Sequence, residues 1–239
     1  MKFPSPLIKA NLVKRYKRFM ADAILENGEE ITAHCANPGA MLGLKEPEST
    51  IWLSKSTNPK RKLKYSWELI EVHEEDQPVL VGINTAHPNK LVEEAILNGS
   101  IPELDKYDSL KREVKYGKNS RIDIFLQDEE RADCYVEVKN VHLLREKGKA
   151  EFPDSVTERG AKHLRELSDM VAQGHRAVLV FLIQRDDVEK MSIAGDIDPN
   201  YSKEMDNAIK EGVEILAYSC QLSTNKIEVK RSVPFIFQE

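Results

Sequence analysis

Cysteine is scarce in this sequence, and long apolar runs are missing. The 239 residues include three cysteines, which stand far apart at Cys35, Cys134 and Cys220. This spacing forms neither a metal-binding motif nor a disulfide framework, so we infer a reducing compartment and expect a cytoplasmic protein. No stretch approaches the length of a transmembrane span, and the proline-broken start at residues 1–10 lacks the apolar run of a signal peptide. We therefore expect no membrane partner.

A strong charge of one sign is also missing. The 35 Lys and Arg residues are set against 40 Asp and Glu residues, and the formal net charge is −5. This composition does not by itself indicate a nucleic-acid-binding protein, so any basic surface must be local. The length suits one large domain or two small ones with a real core, and we find no internal repeat.

Short apolar segments separated by turn residues fill the first third of the chain. They recur at roughly ten-residue spacing, and Asn27-Gly28 between two of them is a strong hairpin signal. This pattern is typical of a small all-β barrel, and we place that domain at residues 1–82. The segments lie at 7–25, 30–35, 50–54 and 65–72.

Basic residues form two clusters in this predicted barrel, at 14–18 and 60–64, and aromatic residues such as Phe19 and Trp67 lie beside them. Basic residues interleaved with aromatic ones suit phosphate contacts combined with base stacking. The same residues equally suit a basic edge strand that protects against aggregation, with the aromatic side chains in the core. Composition alone favours neither interpretation.

Strands and helices alternate after residue 82. Residues 87–99 predict a helix with Pro88 in its first turn and Gly99 at its end. Residues 177–183 are almost wholly apolar, as expected of a strand covered on both faces. The order of elements indicates parallel pairing, so we predict a mixed α/β sheet over residues 83–239. We also expect a short strand at 113–117, a loop at 148–154, a helix at 156–173 that starts with the capping-box spacing of Ser155 and Glu158, a short helix near 202–211 and a strand at 213–218.

A β-hairpin is predicted at residues 121–141. Apolar and polar residues alternate in both halves, and the polar segment 127–133 between them is too short for a helical crossover. Antiparallel pairing can bring Asp123 beside Glu137 and Lys139 on one face. The opposite face would then hold the alternating apolar residues Ile122, Ile124, Leu126, Cys134, Val136 and Val138.

Two carboxylates and an ammonium on one strand face suggest a metal site. Neighbouring carboxylates raise each other's pKa, and a divalent cation would remove that conflict. Mg²⁺ takes one or two carboxylates and completes its shell with water and phosphate oxygens, while a lysine beside it can hold the attacking water. Asp123 with the Glu137-x-Lys139 pair therefore fits phosphodiester hydrolysis. The alternative is a solvated strand face with an ordinary Glu–Lys pair, because the pattern is short.

Charged residues also follow the helix predicted at 156–173. By default such residues form a solvated helix face, and a role in phosphate binding requires that the helix start borders the site. His163 has no partner at a ligand spacing, so we do not expect it to bind a metal. The charged residues in question are Arg159, Lys162, His163 and Arg165.

Eight ordered blocks of sequence closely resemble the sugar fermentation stimulation protein A family over essentially the whole chain. So many blocks in the same order make a chance match very improbable. The blocks begin at His34-Cys35, Asn58-Pro59, Trp67-Glu68, Gly82-Ile83, Val114-Lys115, Ser120-Arg121, Val136-Glu137 and Phe152-Pro153.

The resemblance implies an OB-type barrel followed by a domain of the PD-(D/E)xK nuclease fold. It matches Asp123 to the metal-binding Asp of that fold and Glu137 and Lys139 to its (D/E)xK pair. Glu94 resembles the extra acidic residue that such nucleases often carry on their first helix. Ile122 stands where many of them have proline, a replacement that leaves the ligands untouched.

The resemblance also implies binding to DNA without sequence specificity and a regulatory link to maltose use. Our first hypothesis is thus a Mg²⁺-dependent nuclease, with Mn²⁺ as a substitute ion, whose metal is held by Asp123, Glu137, Glu94 and the Val138 carbonyl while Lys139 positions water. A noncatalytic DNA-binding regulator and a sugar-pathway protein without a nucleic-acid role are the alternatives. The oligomeric state stays open, with a homodimer among the options. The residues expected to contact DNA are Arg15, Lys17, Arg18, Lys60, Arg61, Lys62, Trp67, Arg159 and Lys162.

Overall fold

The computed structural model describes residues 1–74, 77–117 and 119–237. Six strands form the first part, with the hairpin turn at Gly28 in the left-handed conformation (φ +85°) that its position requires. The strands are β1 (Ile8–Tyr16), β2 (Met20–Leu25), β3 (Glu30–Cys35), β4 (Thr50–Lys55), β5 (Tyr65–Glu74) and β6 (Gln77–Gly82).

The predicted barrel is confirmed, and its closure depends on one long-range pairing. The strands run in the order β3-β2-β1-β4-β5-β6, and parallel pairing of β3 with β5 closes the first five strands on themselves. Alternate residues of these strands fill the interior, where Leu12, Ile51, Leu53 and Trp67 are fully buried. A closed barrel leaves no long unpaired edge among these five strands.

The second part contains three helices and ten strands among the described residues. These elements are α1 (Pro88–Leu97), β7 (Ser109–Tyr116), β8 (Ser120–Gln127), β9 (Cys134–Val141), β10 (Leu143–Glu146), β11 (Gly148–Phe152), α2 (Glu158–Ala172), β12 (Arg176–Ile183), β13 (Val188–Ile193), α3 (Pro199–Lys210), β14 (Glu214–Leu222), β15 (Ile227–Ser232) and β16 (Phe235–Ile236).

A six-stranded mixed sheet forms the centre of this part, in the order β15-β14-β12-β9-β8-β7. The hairpin of β8 and β9 is antiparallel, whereas β9, β12 and β14 are parallel, as the order of elements predicted. Helix α1 packs on one face through Leu91, Val92, Ala95 and Ile96, and α2 packs on the other. Every residue of the apolar segment 177–183 is buried between these layers.

One predicted element type and three predicted element starts differ from the structure. Residues 148–152 form strand β11 rather than a loop, because β11 pairs with β13 and belongs to a second sheet, in the order β10-β11-β13-β16. Helix α2 begins at Glu158, and its N-cap is Thr157, whose side chain accepts a hydrogen bond from Gly160 N, so Ser155 lies before the cap. Strand β7 and helix α3 also begin earlier than expected, at Ser109 and Pro199.

A buried carboxylate joins the barrel to the second part. Glu68 on β5 accepts hydrogen bonds from Ser54 Oγ (2.6 Å) and Asn84 Nδ2 (2.7 Å), and its Oε2 lies 2.7 Å from His87 Nε2. Burial raises the pKa of Glu68, but His87 and the two donors outweigh burial and hold that pKa below its usual value. The residue that precedes α1 is thereby fixed to the barrel wall.

No helix in the described part of the chain is long and apolar enough to cross a bilayer.

Candidate active site and nucleic-acid surface

The two strands of the central hairpin separate at Asp123. Their ladder pairs Ile124 with Val136, and beyond this pair Val138 N donates to Asp123 Oδ2 at 2.8 Å. A carboxylate thus replaces the next backbone acceptor. Strand β8 changes face here, since Ile122 packs on the α2 side and Ile124 on the α1 side, so the prediction of one shared face was wrong for Ile122.

Helix α1 contacts the other oxygen of Asp123. Asn89 Nδ2 donates to Oδ1 at 2.7 Å, so both carboxylate oxygens accept one hydrogen bond each from protein groups. Asn89 lies in the first turn of α1, directly after Pro88. A carboxylate held at both oxygens has a fixed orientation, which suits a metal ligand.

Glu137 lies on the α2 side of the sheet and is almost wholly buried. Lys139 Nζ donates to its Oε1 at 2.7 Å, and His163 Nδ1 on α2 makes a short hydrogen bond to the same oxygen. His163 is not predicted as a metal ligand from its spacing, and its contact with Glu137 is not predicted from the sequence either. Helical periodicity could have indicated that His163 faces inward, because it lies one residue before the buried Leu164 and one turn from Arg159.

The two carboxylates carry opposite pKa shifts. Burial and the nearby charge of Glu137 raise the pKa of Asp123 to about 6, against the hydrogen bond from Val138 N. Burial also raises the pKa of Glu137, but the charge of Lys139 and the His163 contact outweigh it and hold that pKa below its usual value. Glu137 is therefore the ionised member, and its charge makes ionisation of Asp123 costly.

Three buried oxygens near Glu137 have no hydrogen-bond partner: Glu137 Oε2 and the hydroxyls of Tyr116 and Tyr201. Burial raises the pKa values of both tyrosine hydroxyls, and the negative charge of Glu137 raises them further. Buried oxygens without a partner are costly, and a polar species that bonded to them would remove that cost. No group of three or more His, Cys, Asp and Glu side chains is placed to hold a metal within the described residues. Two carboxylates are nevertheless sufficient for Mg²⁺, which keeps several waters.

Glu94 does not join this site. Its carboxylate lies 2.6 Å from the Met1 ammonium and 3.8 Å from Lys90 Nζ, and Glu93 pairs instead with Arg112. Positions 89 and 94 differ by about 140° around an ideal helix, so the face that presents Asn89 to Asp123 turns Glu94 away. We therefore withdraw Glu94 from the predicted catalytic and metal-ligand sets.

The predicted DNA contacts of the barrel divide into exposed and inward-facing residues. Trp67 is 0 % exposed and donates its Nε1–H to Leu69 O, so the prediction that it contacts nucleic acid was wrong. Arg15 donates to the carbonyls of Asn37 and Gly39, so its guanidinium holds that loop and does not face a nucleic acid. Arg61 donates to Ser66 Oγ at 2.6 Å. Lys17, Arg18, Lys60 and Lys62 are exposed.

Barrel closure brings the two predicted basic clusters together. Met20 is opposite His34, and His34 is opposite Ser66, so the β1–β2 turn and the β4–β5 loop flank the same end of β3. Phe19 is 43 % exposed and stacks over His34, with ring centroids 6.5 Å apart. An exposed ring thus lies between the basic loops where Trp67 was expected. We call Lys17, Arg18, Phe19, His34, Lys60 and Lys62 the barrel basic surface.

A cleft of about 520 Å³ runs between the barrel and the start of α2. Arg18 lines it from the barrel side and Arg159 from α2, so the predicted basic residue of α2 does border the barrel basic surface. Arg159 also donates to His163 Nε2 at 3.3 Å, which connects the cleft to Glu137. Lys162 instead donates to Ser120 Oγ at 3.0 Å and ties α2 to the start of β8.

Two family models match consecutive parts of the chain. The sugar fermentation stimulation protein N-terminal OB domain matches residues 13–83, and the sugar fermentation stimulation protein RE domain matches residues 86–226. The chain belongs to the sugar fermentation stimulation protein family. This confirms the resemblance drawn from the eight sequence blocks, and the fold is an OB-type barrel followed by a mixed-sheet domain.

Other members of this family match nearly the whole chain. A sugar fermentation stimulation protein homolog from Rhodospirillum centenum is 55% identical over 98% of both chains, and one from Maricaulis maris is 54% identical over 97% of both. The structure of Pyrococcus furiosus SfsA in complex with Ca²⁺ superposes with a TM-score of 0.86 at 26% identity, covering 99% of this chain and 98% of that one. The two-part architecture is thus common to relatives of quite different sequence.

Proposed function

We propose that this member of the family binds nucleic acid and hydrolyses phosphodiester bonds at a divalent-metal site built on Asp123 and Glu137. The observation that supports this most strongly is the pair of carboxylates whose charges conflict. Asp123 has a pKa raised to about 6, while Glu137 keeps a buried oxygen without a partner. A cation between them would remove the repulsion and give that oxygen a partner.

The residues present fit Mg²⁺, with Mn²⁺ as a substitute. Asp123 and Glu137 would be the carboxylate ligands, and the Val138 carbonyl is the backbone ligand that we predict. When bound, such a metal stabilises the negative charge that develops on the phosphate and lowers the pKa of bound water. Lys139, whose Nζ lies 2.7 Å from Glu137 Oε1, would hold the attacking water in this proposal. The Ca²⁺ bound to Pyrococcus furiosus SfsA supports a hard cation in this family.

The barrel basic surface supplies the nucleic-acid contacts in this proposal. Its two loops are the β1–β2 and β4–β5 connections, which are the oligonucleotide-binding loops of OB-folds. Lysine and arginine contacts to phosphate, together with stacking on an exposed ring, carry no sequence information, so we propose DNA binding without sequence preference. Arg18 and Arg159 extend this surface into the cleft that leads to His163.

The decisive experiment measures cleavage of a panel of single-stranded, double-stranded and branched DNA and RNA, with Mg²⁺ or Mn²⁺. Glu137→Gln is the matched variant, because it keeps the side-chain shape and removes the charge. We expect cleavage by the natural protein and a loss of at least about 100-fold in the variant, with DNA affinity unchanged. No cleavage of any substrate with either metal would refute the catalytic part.

A second candidate, a noncatalytic DNA-binding regulator linked to maltose use, is favoured by one observation. Glu94 pairs with Met1 and points away from Asp123. Among the described residues, no third acidic side chain joins Asp123 and Glu137 to form a metal-binding group. In that case the barrel basic surface would carry the function. DNA binding that is independent of metal and unaffected by Glu137→Gln, without cleavage, would support this candidate.

A further inference from the structure

We propose that His163 is the positioning residue that selects which oxygen of Glu137 faces the metal. This inference rests on the proposed function, because it assumes a metal at Asp123 and Glu137. His163 is 5 % exposed on α2 and contacts Glu137 through its Nδ1. His163 is not among the metal-site residues predicted from the sequence.

The ring of His163 has partners at both nitrogens, and Nδ1 lies 3.4 Å from Lys139 Nζ as well as beside Glu137 Oε1. Glu137 Oε1 is a carboxylate oxygen and can only accept, so Nδ1 carries the proton. Nε2 then accepts from Arg159 Nε at 3.3 Å. A ring with a proton on Nδ1 and an acceptor at Nε2 satisfies the contacts with Glu137 and Arg159.

The contact with His163 gives the two oxygens of the Glu137 carboxylate different surroundings. Oε1 accepts from both His163 and Lys139, whereas Oε2 has no partner although it is buried. Lys139 cannot make this choice alone, because a flexible ammonium can pair with either oxygen. The planar ring holds one oxygen in place, so Oε2 is left for the metal.

Close packing and hydrogen bonds hold the start of α2 against α3. Gly160 packs so closely that an added Cβ would lie 3.0 Å from Tyr201 Cε2. Asp198 accepts from the backbone N–H groups of Thr157 (2.8 Å) and Tyr201 (2.9 Å), which joins the first turns of α2 and α3. His163 is thus presented to Glu137 by a helix whose start is packed and hydrogen-bonded against α3.

The test compares the natural protein with His163→Asn and His163→Leu. Asparagine keeps an N–H donor close to the position of Nδ1, whereas leucine fills the space without a donor. Mn²⁺ affinity is measured by calorimetry without nucleic acid, and the stability of each metal-free protein by urea unfolding. We expect His163→Leu to weaken Mn²⁺ binding by about 10–100-fold and His163→Asn by less than about 3-fold.

If His163→Leu does not fold, Arg159→Met provides the second variant, since Arg159 is exposed and its removal frees the ring. Weaker Mn²⁺ binding by about 3–10-fold is then expected, with unchanged stability. Nitrogen-15 shifts of His163 in the metal-free protein should show the proton on Nδ1. A proton on Nε2 would overturn the proposal.

The possible failures are distinguishable. If the natural protein binds Mn²⁺ and no variant changes that affinity, His163 is structural and this inference is wrong while the metal site stands. Equal losses in His163→Asn and His163→Leu would also overturn it, because the donor would then be irrelevant. If the natural protein binds no Mn²⁺, the proposed metal site itself is wrong.

Discussion

Asn89 Nδ2 lies 2.7 Å from Asp123 Oδ1, so α1 contacts the candidate metal site through an amide and not through a glutamate. An amide donor stabilises the ionised carboxylate without adding a third negative charge. The backbone N–H of Val138 acts in the same direction on the other oxygen. Burial and Glu137 nevertheless dominate and raise the pKa of Asp123 to about 6.

Replacing Asp123 with Asn should stabilise the metal-free protein at alkaline pH. Because the pKa of Asp123 is raised on folding, the folded state binds more protons than the unfolded chain between pH ~4 and ~6, and its stability falls as the pH rises through 6. We expect Asp123→Asn to add on the order of 1–3 kcal/mol at pH 8 and little at pH 4.5. Urea unfolding with a chelator at both pH values measures this.

The control for that experiment is Asp196→Asn. The pKa of Asp196 is lowered to about 2 by its hydrogen bonds to Arg145, so this variant should lose stability at pH 8, the opposite sign. The same sign of change in both variants would contradict the assignment of the Asp123 shift.

Metal affinity should depend on pH in a way that reports Asp123. A carboxylate must lose its proton to bind a cation, and Glu137, with its lowered pKa, stays ionised over the relevant range. Mn²⁺ affinity is therefore expected to be constant above pH 7 and to fall about tenfold per pH unit below 6. Calorimetric titrations from pH 5 to 8 provide the test. An affinity that does not change between pH 5 and 7 would exclude Asp123 as a ligand.

The barrel basic surface should control the salt dependence of DNA binding. Each phosphate contact adds about 0.7–0.9 to the slope of log affinity against log salt. We expect replacement of Lys17, Arg18, Lys60 and Lys62 by Ala to reduce that slope by about 2 or more. Fluorescence anisotropy between 50 and 300 mM salt measures it.

Trp67→Phe is the matched comparison for these surface variants. Trp67 is buried and bonds to Leu69 O, so its replacement should cost about 1–3 kcal/mol of stability. The salt slope should stay the same. A reduced slope in Trp67→Phe, with the alanine variants unchanged, would place the DNA on another surface.

Gly82 marks a close approach between the barrel and the central sheet. Its N–H donates to Gln184 O at 2.8 Å, and an added Cβ would overlap the Gln184 side chain. Gly82→Ala is therefore expected to cost about 1–3 kcal/mol, and less than half of that in a Gln184→Ala background. Urea unfolding of both single variants and the double variant tests this, and additive costs would refute the contact as the cause.

The sequence predicted the elements that local patterns define. The hairpin of β8 and β9 follows from alternation and a short polar turn, and α1 follows from Pro88, its apolar stripe and Gly99. The family resemblance matched Asp123, Glu137 and Lys139. Their arrangement does not follow from ladder pairing, because the β8–β9 ladder ends at the Ile124–Val136 pair, and Asp123 contacts α1 whereas Glu137 contacts α2.

Other features depend on contacts that local patterns do not encode. Helical periodicity could not tell whether Glu93 or Glu94 of α1 faces the site. Neither of them contacts Asp123 in the described part of the structure. Trp67 beside basic residues looked like a stacking platform, but closure of the barrel through β3 and β5 buries it. His163 meets Glu137 only because α2 crosses the sheet above β9.

Glu68 limits how freely the two parts can be recombined. Its carboxylate is buried in the barrel, yet its hydrogen-bond partners Asn84 and His87 lie beyond the last barrel strand. A chimaera that joined this barrel to a distant relative's second part would keep the charge and lose its partners, which costs about 3–5 kcal/mol. Exchange of parts during evolution would therefore have to carry residues 84–87 along with the barrel.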